Sequence, residues 1–199
     1  MPLLKPTEKP LTCTSDHSRA SGQALNLFLE RANAKGVDNS VTGIHTFHMS
    51  ISELLEEEQV LAKIACSSKD DLICKLLDLV FKTKDCLPFS REEALNTINI
   101  REKIGGTLFP SGLSVPHARL RNYDGFILVI GTPEKELFHE GLQVRMMALM
   151  ITSQVGAPHY LPALAELTKI SKNSEFYSRL CDAETPKDFI SIFREQVPE

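Results

Sequence analysis

No stretch of the chain approaches the run of about 20 apolar residues that a membrane-spanning helix needs. Its start, with Pro2, Pro6 and Pro10, lacks the continuous apolar segment of a secretory signal. There is no Lys/Arg cluster, and 22 basic against 26 acidic residues leave a net charge of −4. Nothing therefore supplies the basic face that nucleic acid requires. The five cysteines, Cys13, Cys66, Cys74, Cys86 and Cys181, are odd in number and fall in no paired spacing. They read as free thiols in a reducing compartment rather than as a disulfide framework. No Cys-x-x-Cys or His/Cys cluster argues for zinc, and no Walker-type nucleotide loop is present. The expectation is a cytoplasmic protein without metal or cofactor.

What is there is ordinary globular material. A chain of 199 residues, 42% hydrophobic and 24% charged, can bury one good core with an appendage. Residues 1–48 stand apart. They open rich in Pro, Thr and Ser without periodicity, and Ala24 to Ala32 could make one short helix ended by Gly36. His45 and His48 in this part read as solvated. Met49 is an alternative start, and residues 49–199 read as one folded domain.

From Ile51 the chain is well patterned. Val60 to Ala65 reads as a strand. Ser67 or Ser68 can cap a helix that carries Asp70 and Asp71 at its positive end and Leu72, Ile73, Leu76, Leu77 and Val80 on one face. Ser90 and Glu93 have capping-box spacing ahead of a second helix running to the glycines. Phe126 to Ile130 and Val144 to Thr152 read as buried strands, with Thr132-Pro133 turning the chain between them. Glu136 to His139 reads as an edge piece, His139 itself as a surface turn. Helices are expected from Pro158 to Ile170, with Leu161, Leu164, Ala165, Leu167 and Ile170 inward, then from about Ser174 and from about Pro186. Strands flanked by helices predict an α/β fold with a mixed sheet.

One stretch breaks the periodicity. Arg101 to Leu120 reads REKIGGTLFPSGLSVPHARL, crowding glycines, a short apolar strand at Leu113 to Val115, a proline and a histidine. Pro116 has no N–H and should end that strand's ladder, leaving His117 at a strand end beside a loop. Arg101 and the loop N–H groups suit a dianionic phosphoryl group. A neutral imidazole beside them is a nucleophile near pH 7.

This segment resembles the active-site segment of the fructose/mannitol/nitrogen-regulatory type of enzyme IIA domains in the bacterial phosphoenolpyruvate-dependent phosphotransferase system. The resemblance lies in Arg101-Glu102, in Gly105-Gly106-Thr107, and in Gly112-Leu113-Ser114-Val115-Pro116-His117-Ala118, with matching separation of Arg101 from His117. Gly106 stands where the family usually has serine or threonine, Leu108 and Pro110 where it often has small residues, and Ser114 where it has alanine. The resemblance implies that His117 is the phosphorylated histidine. It further implies that His159 is the second site histidine, and that Arg101, with the loop around Thr107 and Gly112, stabilises the transferred group. It also implies partners: the histidine-containing phosphocarrier protein as donor, and an enzyme IIB domain or a regulated target protein as recipient. A nitrogen-regulatory role is slightly favoured over sugar uptake. An alternative is an unphosphorylated interaction module on the same fold. A metal hydrolase using several of the six histidines is disfavoured by their spacing.

Overall fold

The structure, a computed structural model, describes residues 50–153 and 159–195. The expectations for residues 1–48 and for Pro158 lie outside the described residues. The first described element is a single helical turn, α1 (Ile51–Leu54), capped by Ser50. A 3-10 turn (Glu57–Gln59) then leads into β1 (Val60–Ile64). Helix α2 (Lys69–Thr83) is capped by Ser68, whose hydroxyl accepts from Asp71 N, and all five residues of its apolar face are buried. Helix α3 (Arg91–Ile104) starts at Ser90 in the same way and stops at Gly105.

The sheet is mixed. Strands β1, β4 (Phe126–Pro133), β7 (Met146–Ser153) and β2 (Leu113–Ser114) lie in the order β1-β4-β7-β2, and β3 (His117–Leu120) also pairs with β7. The β4–β7 pair is antiparallel and the others are parallel. Beside the sheet, β5 (Leu137–His139) and β6 (Leu142–Val144) form a hairpin.

Both faces of the sheet are covered, and strand residues alternate between them. Leu128 and Ile130 of β4, with Met146, Ala148 and Met150 of β7, pack against α1, α4 (Tyr160–Lys172), α5 (Ser174–Asp182) and α6 (Pro186–Arg194). Ile127, Val129, Leu149 and Ile151 join Ala118 and Leu120 of β3 against α2 and α3. This two-sided burial is why the two longest strands read as continuous apolar runs.

The structure differs from the expectations in several places. Thr132-Pro133 does not turn the chain; β4 runs on through both, because Thr132 is fully buried and its hydroxyl accepts from Lys63 N of β1 at 3.0 Å. His139 ends β5 in register with Leu142, and Glu140 and Gly141, both at positive φ, make the turn. Pro116 interrupts the edge of the sheet without ending it. Its carbonyl accepts from Met150 N at 3.0 Å, so the chain resumes pairing with β7 at His117. In α4 the buried stripe is Tyr160, Ala163, Leu167 and Ile170, while Leu161 and Ala165 are exposed and Leu164 is half-buried. The stripe starts one residue earlier than the aliphatic pattern suggests because Tyr160 supplies its first apolar surface. Pro162 falls in the first turn, where its missing N–H costs no helical hydrogen bond.

Candidate active site

His117 opens β3 in register with Met150. It is buried, at 7% exposure, and faces the α4 side of the sheet. Its Nδ1 lies 3.3 Å from the carbonyl oxygen of Val115. A carbonyl can only accept, so Nδ1 carries the proton and Nε2 is left with its lone pair. Burial holds the His117 pKa below its usual value. The Val115 carbonyl opposes that shift, the guanidinium groups of Arg101 and Arg119 reinforce it, and the Glu102 carboxylate opposes it. The imidazole is thus kept neutral with one nitrogen open, the state of a nucleophile.

Arg101 arrives in the last turn of α3, and its Nη1 donates to Gly105 O at 2.6 Å, tying the side chain to the start of the glycine loop. Arg119 is two residues beyond His117 on the same strand and so shares its face. Its guanidinium carbon sits 5.2 Å from the centre of the Tyr160 ring. Neither arginine forms an ion pair with a described carboxylate. Both charges act on the His117 ring.

Helix α4 brings two candidate residues, one expected and one not. His159 caps the helix, and its ring lies 6.0 Å from that of Phe126 on β4. Tyr160, the next residue, reaches His117, with ring centroids 5.0 Å apart and the hydroxyl 3.4 Å from Nε2 and 3.5 Å from Nδ1. Successive positions of a helix point about 100° apart, so two neighbouring residues address two different strands. The sequence signal for Tyr160 was its place at the head of the buried stripe, where a phenol needs a partner for its hydroxyl.

The loop is organised by Glu102 and Thr107 together with Lys69, the one member of the group that the sequence does not point to. Lys69, at the first position of α2 and only 3% exposed, donates to Glu102 Oε2, and Glu102 Oε1 accepts from the Thr107 hydroxyl at 2.5 Å. Thr107 also accepts at its carbonyl from Val115 N at 3.0 Å. Its hydroxyl is therefore committed to Glu102. Gly112 sits at φ 84°, and its carbonyl accepts from Arg145 N and Met146 N. A side chain there would meet Arg145 Cγ at 2.8 Å and Gln143 O at 2.9 Å. Only glycine fits this approach. Among the described residues no group of three His, Cys, Asp or Glu side chains is placed to hold a metal ion.

Residues 53–196 match the family model for the enzyme IIA component, type 2, of the phosphoenolpyruvate-dependent sugar phosphotransferase system. The chain belongs to this family. Solved structures of other enzyme IIA proteins share the fold. The nitrogen regulatory protein IIA-Ntr of Neisseria meningitidis aligns at TM-score 0.63 and 16% identity, over 71% of this chain and 97% of its own. The mannitol IIA of Escherichia coli aligns at 0.57 and 15%, over 69% and 97%. The same mannitol enzyme IIA solved in complex with phosphorylated enzyme IIB gives 0.57 and 14%, over 71% and 98%. No curated relative matches the chain. The α/β fold with a mixed sheet flanked by helices is that of the enzyme IIA neighbours. None of the described helices is long and apolar enough to cross a membrane.

Proposed function

We propose that this enzyme IIA domain is a phosphohistidine carrier. His117 Nε2 takes a phosphoryl group from the histidine-containing phosphocarrier protein and passes it to an enzyme IIB partner or, as slightly favoured, signals through it to a regulated protein. The observation that carries the reading is a buried histidine with its proton fixed on Nδ1 by Val115 and two guanidinium groups acting on the ring. Phosphoryl transfer asks the protein for in-line positioning and charge stabilisation rather than further covalent chemistry. Arg101 supplies charge from the end of α3, and Thr107 and Gly112 hold the loop in shape around it. His159, one residue from Tyr160, orients the transferred group from the end of α4. Ile100 and Ile104 on the helix that carries Arg101, and Leu161 next to Tyr160, are all more than half exposed and offer an apolar rim to a protein partner.

The carrier unit is residues 49–199, with 1–48 an extension. A chain cut before Met49 is expected to fold and to accept phosphate. The deciding experiment is the intact mass of the parent and of His117→Ala after incubation with phosphoenolpyruvate and the two general phosphotransferase proteins. An acid-labile phosphoryl adduct on the parent alone supports the carrier. Its absence from a folded parent, with a control carrier phosphorylated in the same mixture, refutes it. That outcome favours the second reading, an unphosphorylated interaction module, which one observation supports: the Thr107 hydroxyl is already committed and Gly106 has no side chain to replace it.

A further inference from the structure

We propose that Tyr160 is a further catalytic residue of phosphoryl transfer at His117; this rests on the reading of His117 as the acceptor. Its hydroxyl is 3.4 Å from Nε2. Because the Nδ1 proton points at Val115, the nitrogen that can accept from Tyr160 is Nε2, the one that attacks. At 3.4 Å the contact is loose, which leaves the lone pair available while keeping a donor beside it. Catalytic hydrogen bonds of this length tighten once the reacting group is bound. The ring is 6% exposed, and the Arg119 guanidinium over its face helps to hold it beside the histidine.

The step balances without an additional reactant. The Nε2 lone pair forms a bond to phosphorus as the N–P bond of a donor phosphohistidine breaks, and the donor nitrogen keeps that electron pair. The proton on His117 Nδ1 stays, so the phosphorylated ring takes over the positive charge that the donor ring loses, and the Val115 carbonyl accepts from it more strongly. The Nε2 lone pair is consumed in the new bond, so Nε2 no longer accepts from Tyr160. The phenolic O–H then turns to a phosphoryl oxygen, with Arg119 and Arg101 as its charged neighbours. Tyr160 thus serves the nitrogen before transfer and the phosphoryl group after it.

The test uses the full chain as parent and as Tyr160→Phe, which removes the hydroxyl and keeps the ring. Transfer from the phosphorylated phosphocarrier is followed by rapid quench, the His117 imidazole is titrated by NMR, and circular dichroism reports folding. In Tyr160→Phe the turnover rate is expected to fall about tenfold, the worth of one hydrogen bond, with the half-saturating phosphocarrier concentration unchanged. The His117 titration midpoint should rise, because a donor to the neutral imidazole has been lost. A folded variant with both parental rate and parental midpoint overturns the role of Tyr160 while leaving His117 as acceptor. A parent that takes no phosphoryl group overturns both.

Discussion

The buried Lys69–Glu102–Thr107 group ties the start of α2 to the last turn of α3 and to the loop that follows it. Replacing Lys69 with methionine keeps the volume and removes the charge, leaving the Glu102 carboxylate, 15% exposed, without its counter-ion. Breaking one partner of a buried pair costs about 3–5 kcal/mol, and the residual exposure of Glu102 puts the value near the lower end. Against a total stability of about 5–15 kcal/mol, about 3 kcal/mol corresponds to a melting point lowered by roughly 6–12 °C for a domain of this size. Lys69→Met with Glu102→Gln removes both charges and should recover about 2 kcal/mol of that loss, a coupling read from the double-mutant cycle. The assay is equilibrium unfolding in urea followed by far-ultraviolet circular dichroism, since the chain has no tryptophan to report by fluorescence. A single-variant loss below about 1 kcal/mol, the value of an exposed pair, or a coupling near zero would refute the argument.

Gly112→Ala forces a Cβ onto a left-handed φ and into Arg145 and Gln143; it should cost about 1–2 kcal/mol from the backbone alone. Gly106→Ala, with nothing within 4 Å, should stay within about 0.5 kcal/mol, and equal losses in the two variants would contradict the assignment. His117 titrates below its unfolded value, so the unfolded chain binds the proton first as the pH falls. Its contribution to stability is complete above about pH 6.5 and is lost as the pH drops through the folded value. The parent should therefore show a steeper loss of stability below that pH than His117→Asn, and parallel pH profiles would count against a depressed pKa. Ile104, 77% exposed at the end of α3, should tolerate aspartate with little change in melting point. Ile104→Asp should nevertheless raise the phosphocarrier concentration needed for half-maximal transfer, and an unchanged value would remove this residue from the docking rim.

The fold was legible where one physical signal dominated. The apolar face of α2 is buried residue for residue, and Ser68, Ser90 and Thr185 begin helices with the hydroxyl acceptors that orphan N–H groups require. The strands β4 and β7 were legible because burial on both faces removes alternation. What misled was proline read by rule. Pro116 was expected to close the ladder and Pro133 to mark a turn, but a proline lacks only its donor. Pro116 keeps its carbonyl bond to Met150, and Pro133 sits in register with Ile64 at the end of β1. His117 therefore belongs to a strand, paired with Met150 of β7.

The candidate site divides along the same line. His117 and Arg101 were legible because their types and separation carry the chemistry. Lys69 and Tyr160 were not singled out, because each looks like background until its partner is known, although each breaks a local preference. A lysine in the first turn of a helix has the wrong sign for the dipole, and here an acidic residue 33 positions away compensates it. A tyrosine at the head of a buried stripe brings a hydroxyl where an aliphatic residue needs no partner, and here the partner is the His117 ring. Both compensations are made between separate elements, α2 with α3 for Lys69 and α4 with β3 for Tyr160. A residue that violates its local preference and is satisfied by a distant one marks where separate elements meet, and in this chain one such residue, Lys69, holds the Glu102 carboxylate that acts on His117, while the other, Tyr160, touches the His117 ring itself.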